Sequence, residues 1–373
     1  MKRAIVSVIN DLSTDQRVHK VCTTLVELGY EVTLVGRWQR KSIPLKPRNY
    51  ATKRMFLVFE KGPLFYFIFQ KRLFWYLLVH KADVLVANDL DTLMPNYLVA
   101  KLKRSHLVYD SHELFCEVPE LQHHATKKRI WKTIEQWIFP KLTHVFTVNQ
   151  SIADIYGKEY HTEVNVVRNV PMMSPTETPQ TLTKRDLGID DGQSIIVLQG
   201  AGINIDRGAE EAVAAMQYVE NATLLIIGSG DVIDILKQNV KQLGLENKVR
   251  IMGKLPFDEL MQYTRLADLG LTLDKDTNIN YKYSLPNKLF DYIHAGVPVL
   301  SSDLVEIKNI LMQYEIGDTI ANHSPHHIAE KINQLLNDKT KLAVWKKNTT
   351  IAARNLNWEK ETERLRQVYK SFL

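Results

Sequence analysis

The stretch Tyr283-Ser-Leu-Pro-Asn-Lys-Leu-Phe-Asp-Tyr-Ile-His-Ala-Gly-Val-Pro-Val-Leu-Ser-Ser-Asp303 reads as a loop, a short helix, a stop and a buried strand. Pro286 suits a first helical turn, where a missing N–H is no loss. Leu289, Phe290 and Ile293 supply a buried face at helical spacing, and Gly296 ends the helix before an apolar strand at 297–300. The opposite side carries polar chemistry. Backbone N–H groups around Ser284, Leu285 and Asn287 would meet an anion at the positive end of the helix dipole, with Lys288 adding charge. Asp291 lies a turn later on the same side, where a carboxylate can hold two ribose hydroxyls. A strand–helix junction built this way predicts a nucleotide diphosphate site.

Outward from this stretch the same alternation repeats. Short β-rich runs at 3–9, 31–35, 54–58, 84–87, 107–109, 144–148 and 164–168 are separated by helical patterns such as 16–28, 92–103 and 126–141. Residues 171–193, with Pro171, Pro175 and Pro179 among Thr, Glu and Asp, read as a surface linker. A second series follows, with strands at 194–198, 223–227, 248–252, 269–273 and 297–300 and helices at 208–218 and 231–243. The tail from Pro325 is helical, on Ile328, Ile332, Leu335 and Leu336, then Leu365, Val368 and Tyr369. Such βαβ repetition predicts an α/β protein of two Rossmann-like, doubly wound parallel-sheet domains facing a central cleft, spanning 1–170 and 194–355.

Composition sets the outer limits. A chain of 373 residues exceeds one ordinary core, and 45% hydrophobic with 24% charged residues excludes a disordered chain. Cys22 and Cys116 offer neither a disulfide framework nor metal-ligand spacing, which fits a reducing, cytoplasmic setting. The apolar run after Met1 is too short for a signal peptide and reads as a first strand. Residues 1–170 carry 25 Lys and Arg against 16 Asp and Glu, within a total net charge of +6. Arg37, Arg40, Lys41, Lys46, Arg48, Lys53 and Arg54 form a run with no acid, which attracts anionic surfaces. Just downstream, residues 64–79 are aromatic-rich but interrupted by Lys71 and Arg72, too short on either side to span a bilayer. They form either a core helix or an interfacial one, so residues 37–79 are a candidate contact with the inner, anionic face of a membrane. No reading motif for nucleic acid accompanies the basic run, and a nucleic-acid partner is not expected.

The other junctions carry the remaining candidates. In Ile9-Asn-Asp-Leu-Ser-Thr-Asp-Gln-Arg-Val18, Thr14 or Asp15 can cap a helix, and Asp15 and Arg17 are candidate acceptor contacts. Asn88, Asp89 and Asp91 follow one strand and His112 and Glu113 another, a density that a solvated surface seldom needs. His112 is expected to donate to a sugar or to accept a proton near neutral pH. In the second half, Gly200 and Gly202 allow close backbone approach ahead of Arg207, whose fork suits a diphosphate, and Gly228 and Gly230 add a second close-approach loop.

These blocks together resemble the family 4 retaining glycosyltransferases of the GT-B fold. The resemblance runs through Asp15-Gln-Arg-Val-His-Lys20, Leu28-Gly-Tyr-Glu-Val32, Asn88-Asp-Leu-Asp-Thr92, Asp110-Ser-His-Glu113, Arg207-Gly208, Ile226-Ile-Gly-Ser-Gly-Asp231 and Leu285 to Val299 with Ser302-Asp303. It implies a nucleotide-sugar donor held by the second domain and a glycan or polyprenyl-phosphate-linked acceptor held by the first. It also implies transfer with retention, no metal ion and no cofactor beyond the donor itself. His112, Arg207 and Asp291 take the catalytic roles under it. The segment 356–373, around Asn357-Trp-Glu359, resembles the family's C-terminal helix, which returns to the first domain. Two departures stand out. The family's paired glutamates fall on Tyr283 and Asp291, and its Arg and Lys, five apart, on Gly202 and Arg207. A nucleotide-sugar epimerase on the same architecture, or a non-catalytic nucleotide- or glycan-binding module, remains an alternative.

Overall fold

The computed structural model describes residues 1–13, 15–40, 42, 44–122, 124–173 and 179–373. Thr14 as a cap, Lys41 of the basic run and Pro175 of the expected linker lie outside the described residues. The chain divides into two compact units, Met1–Asn169 with Glu361–Leu373, and Val170–Lys360.

The first unit is built on seven strands: β1 Arg3–Asp11, β2 Glu31–Trp38, β3 Ala51–Phe56, β4 Val84–Asn88, β5 His106–Ser111, β6 Val145–Thr147 and β7 Val164–Val166. Their spatial order is β3-β2-β1-β4-β5-β6-β7, with every pairing parallel. A parallel sheet covered on both faces needs apolar side chains on both, and β4 is buried at all five positions. The helix Gln16–Glu27 begins where Val18 N–H donates to Asp15 Oδ1 (3.1 Å), and it buries Val18, Val21, Cys22 and Leu25.

The aromatic stretch forms the helix Pro63–Val79. It buries Phe65, Phe69, Leu73 and Leu77, one residue every fourth position, against a cluster that includes Ile5, Val35 and Leu85. Each such side chain contributes roughly 1.5–3 kcal/mol on burial. Leu64, Phe67, Trp75 and Val79 of the same helix stay exposed, and Lys71 and Arg72 lie on the exposed side. Among the described residues, no helix is long and apolar enough to cross a membrane.

Six strands make the second sheet: β8 Ser194–Gly200, β9 Ala222–Gly228, β10 Val249–Met252, β11 Leu269–Thr272, β12 Val299–Ser302 and β13 Gly317–Ile320. Their order is β10-β9-β8-β11-β12-β13, again all parallel. Both sheets therefore reverse direction of growth once, between β1 and β4 and between β8 and β11. Ligands in such sheets bind outside the strand carboxyl ends at those switch points.

Several local expectations shift. β12 starts two residues later than its apolar run, because Val297 N–H donates back to Tyr292 O and Gly296 (φ +76°) is occupied in ending the helix. β13 has no sequence counterpart above, since Asp318 and Thr319 break its apolar pattern within four residues. The tail splits into Pro325–Asn337, Lys339–Asn355 and Trp358–Lys370, with Asp338 accepting from Lys341 N–H (2.9 Å) to start the middle helix. The expected linker is fastened to the second unit: Thr181 N–H donates to Gln262 Oε1 (2.9 Å) and Gln262 Nε2 to Pro179 O (3.0 Å). In the first unit, Tyr30 OH donates to Tyr369 O (2.6 Å), and Phe372 stacks on His106.

Candidate functional site

In the second unit the switch point carries a compact ionic cluster. Arg207 follows β8 and Asp274 follows β11. Arg207 Nη1 lies 2.8 Å from Asp274 Oδ1, and Lys288 Nζ lies 3.8 Å from Asp274 Oδ2. The guanidinium also stacks on the Tyr281 ring, 4.0 Å from its centroid. Burial alone would raise Asp274, but Lys288 and Arg207 outweigh it and hold the carboxyl below its usual range. Burial, with Arg207 beside it, pushes Lys288 below an ordinary lysine against the pull of Asp274. Two cations around one carboxylate leave one excess positive charge, which suits a diphosphate.

Backbone geometry presents Arg207. It sits between Asp206 (φ +65°) and Gly208 (φ +74°), two left-handed residues in succession around it. A side chain at Gly208 would meet Leu273 O at 2.2 Å, so only glycine lets this loop reach the end of β11. Gly228 and Gly230 serve the same purpose inside the protein. Their β-carbons would fall 1.8 Å from Gly200 O and 2.0 Å from Ile203 O, so these glycines interlock the loops after β8 and β9. Packing alone thus requires both glycines, whatever part they take in holding a donor. Gly200 and Gly202 have ordinary space around them and are not required by the packing.

The helix Asn287–Ala295 starts one residue later than expected, with Pro286 as its cap. Ser284 N–H already donates to Tyr281 O (3.0 Å) and Pro286 has none, so the set of amides is narrower than the sequence suggested. Ser284 Oγ is buried without a hydrogen bond, Leu285 is half-buried and Asn287 is exposed. Asp291 is held from below: Gln199 Nε2 donates to its Oδ2 (3.2 Å), while Thr264 Oγ1 donates to Gln199 Oε1 (2.7 Å) and so fixes the amide. Asp274, Tyr281, Gln199 and Thr264 were not singled out from the sequence. The available signal for Asp274 was an acid directly after an apolar strand.

The first unit gathers a different cluster at the ends of β4 and β5. His112 Nδ1 lies 3.4 Å from Asp89 Oδ2, and its Nε2 lies 3.5 Å from Asp110 Oδ2. His112 N–H donates to Asp89 Oδ1 (2.8 Å). Asp89 adopts φ +58° and ψ 167°, a conformation that costs a non-glycine residue about 1–3 kcal/mol and that recurs at functional sites. Burial works against the imidazolium, yet Asp89 and Asp110 raise the His112 pKa to about 9. The two carboxylates thus favour the imidazolium, a donor, over a proton acceptor near pH 7.

Its neighbours divide into contacts and supports. Arg17 is 3% exposed, with Nε and Nη2 on Asp110 (3.0 and 2.6 Å) and Nη1 on Val167 O (2.6 Å). This fork holds Asp110, which corrects its expected role as an acceptor contact. Asp91 is buried, and burial with the nearby Asp89 charge raises its carboxyl well above its ordinary value. Asn88 Nδ2 donates to Ser7 O (2.9 Å) from a fully buried position. Asp15 caps its helix, and Glu113 is half-buried with its carbonyl accepting from Ser111 Oγ (2.8 Å).

The His112 charge is directly measurable. Ring 15N shifts should show both nitrogens protonated at pH 7 and loss of one proton near pH 9. Because the folded pKa lies above the ordinary value of 6.5, the linked stability is complete below that value. It is lost as pH rises through about 9, so the unfolding midpoint of wild type should fall across this window more than that of His112→Gln. A ring titrating at its ordinary value, with parallel stability curves, would remove the cation.

With this geometry in hand, the comparisons are informative. Residues 180–351 match the model for glycosyl transferases group 1, and residues 15–170 match that for glycosyltransferase family 4. An uncharacterised glycosyltransferase of Methanocaldococcus jannaschii is 26% identical over 158 residues, 42% of this chain and 39% of that protein. The chain thus aligns with about two fifths of that curated relative's length. Sucrose-phosphate synthase from Thermosynechococcus elongatus superposes with a TM-score of 0.80 at 16% identity, covering 100% of this chain and 99% of that one. The Anabaena HepE protein, solved in complex with UDP and glucose, gives 0.75 at 14% identity with full coverage of both chains. Two family models that between them cover residues 15–170 and 180–351, and whole-chain likeness in fold to such structures, make this chain a family 4 glycosyltransferase of the GT-B fold.

Proposed function

We propose that the protein moves a sugar from a nucleotide-sugar to a glycan or polyprenyl-phosphate-linked acceptor, with retention of configuration and without a metal ion, in cell-surface polysaccharide assembly. The Arg207–Asp274–Lys288 cluster at the second switch point carries this reading. As the glycosyl–phosphate bond breaks, the departing diphosphate gains negative charge. Arg207 and Lys288 stabilise that charge without reorganising, and the helix start at Asn287 adds its dipole. Asp291, oriented by Gln199, takes the ribose hydroxyls. His112, as a cation, positions a sugar or acceptor hydroxyl by donating to it.

The acceptor end is proposed to work at the cytoplasmic face of a membrane. Trp38 (52% exposed), Phe56 (53%) and Phe67 (65%) are exposed aromatics of this region, and Arg37, Arg40 and Lys61 line one depression with Glu60, Phe65 and Tyr66. Aromatic and basic side chains together suit the interface of an anionic bilayer.

A donor panel of UDP-, GDP- and ADP-sugars, with and without lipid-linked glycan acceptors, tests the proposal. Acceptor-dependent release of nucleoside diphosphate and a product with the donor's anomeric configuration are expected. Isomerised sugar formed without an acceptor would support the epimerase reading instead, and tight nucleotide binding with no product a binding module. Sedimentation with anionic vesicles should weaken when Lys71 and Arg72 are replaced by Glu; an unchanged bound fraction removes the membrane contact.

A further inference from the structure

We infer that Asp274 is a positioning residue for the donor diphosphate, one buried carboxylate that keeps Arg207 and Lys288 together as a charged pair. This rests on the nucleotide-sugar reading above. Asp274 is 0% exposed and stands at the meeting of three elements: the loop after β8, the end of β11 and the helix Asn287–Ala295. Its Oδ1 takes Arg207 (2.8 Å), and its Oδ2 faces Lys288 (3.8 Å) and accepts from Thr272 Oγ1 (3.2 Å). Other titratable groups nearby are the phenols of Tyr281, under the guanidinium, and Tyr292, on the helix; His323, whose Nε2 lies 3.1 Å from Leu273 O; Asp291; and Lys275, which pairs with Asp206 and Glu211.

Two cations in so buried a place repel each other and lose hydration. Arginine cannot shed its proton, so an uncompensated pair relaxes by deprotonating the lysine. Burial and Arg207 already push Lys288 down, and Asp274 opposes them. The carboxylate thus keeps a lysine charged that would otherwise be lost to the site as pH rises. It leaves the net charge positive, so an incoming diphosphate still finds an attractive field.

The role has a signature that simple structural damage lacks. In Asp274→Asn the site carries more positive charge at low pH and an uncharged Lys288 at high pH. Calorimetry with UDP, and with inorganic pyrophosphate to remove dependence on the base, compares variant with wild type from about pH 6.5 to about 8.5. The variant's affinity relative to wild type should fall about tenfold across that interval. Donor KM should rise and kcat fall with it as pH rises, because Lys288 serves both the bound and the departing diphosphate. Adding Lys288→Arg to Asp274→Asn should flatten the profile, because arginine keeps its charge.

A relative affinity that stays level with pH in Asp274→Asn overturns the role of Asp274 and leaves the donor site standing. Failure of wild type to bind either UDP or pyrophosphate removes the donor-site reading, and this inference with it. If circular dichroism shows Asp274→Asn unfolded, Asp274→Glu decides the matter. Its longer carboxylate displaces both cations, so donor KM should rise several-fold with a level pH profile, and a wild-type KM would overturn the role.

Discussion

Arg207→Ala lowers donor kcat/KM by about a thousandfold, on the order of 4 kcal/mol of transition-state stabilisation, with the fold retained. The side chain is the better placed of the two cations. Its Nη1 is on Asp274 while its plane lies on Tyr281, so the fork is preorganised for a planar anionic partner. The fold survives because Asp274 keeps Lys288 and Thr272 as partners. Arg207→Lys should recover only part of the loss, since an ammonium neither stacks nor forks. Nucleoside diphosphate release at saturating acceptor, alongside far-UV circular dichroism, measures both effects. Wild-type turnover in Arg207→Ala would sink the donor-site assignment.

Asp110→Ala should destabilise the first unit by about 3–5 kcal/mol, because it strands the Arg17 guanidinium in the interior. Arg17 and Asp110 are each 3% exposed, and two Arg17 hydrogen bonds go to Asp110 beside one to Val167 O. The same change takes one of two carboxylates from His112, so the ring's proton should be lost at lower pH than about 9. The sign is the acidic counterpart of the His112 effect. Arg17 and His112 overcome burial and hold Asp110 below the carboxylate range. Its stabilisation is therefore full above the ordinary value of 3.8 and fades as pH falls below it. Denaturant unfolding followed by tryptophan fluorescence measures the loss. Replacing both partners by apolar residues, Arg17→Met with Asp110→Leu, should restore most of it. A single-variant cost under about 1 kcal/mol would mean that the pair is not the buried support described here.

Local pattern reached far in this chain. Apolar runs three to seven long, separated by helical periods, were enough for two parallel sheets, because a strand buried on both faces has no room for alternation. Polar residues in the loops past those runs marked Arg207, Asp89 and His112, and the polar side of the helix before the 297–300 strand marked Lys288 and Asp291. What escaped was whatever the local pattern could not express. β13 is four residues long with two polar ones, below any periodic signal. Gln199 sits inside an apolar strand, and its use in orienting Asp291 depends on a helix 92 residues away in sequence.

The roles of the residues divide in the same way. Sequence by itself determined the α/β class, two repeating series, the family, and which strand ends hold charged and polar groups. The family follows from the resemblance of its motifs, and the rest from periodicity and composition within a few neighbouring residues. Tertiary structure alone decided which groups became partners. Arg17 turned from a ligand contact into the support of Asp110, and His112 became a cation between two carboxylates. Gly228 and Gly230 turned out to join two loops, and Asp274 to bind two cations. Burial and charge pairing set those outcomes. Both are properties of where distant segments meet at the strand ends, and no single stretch of chain contains them.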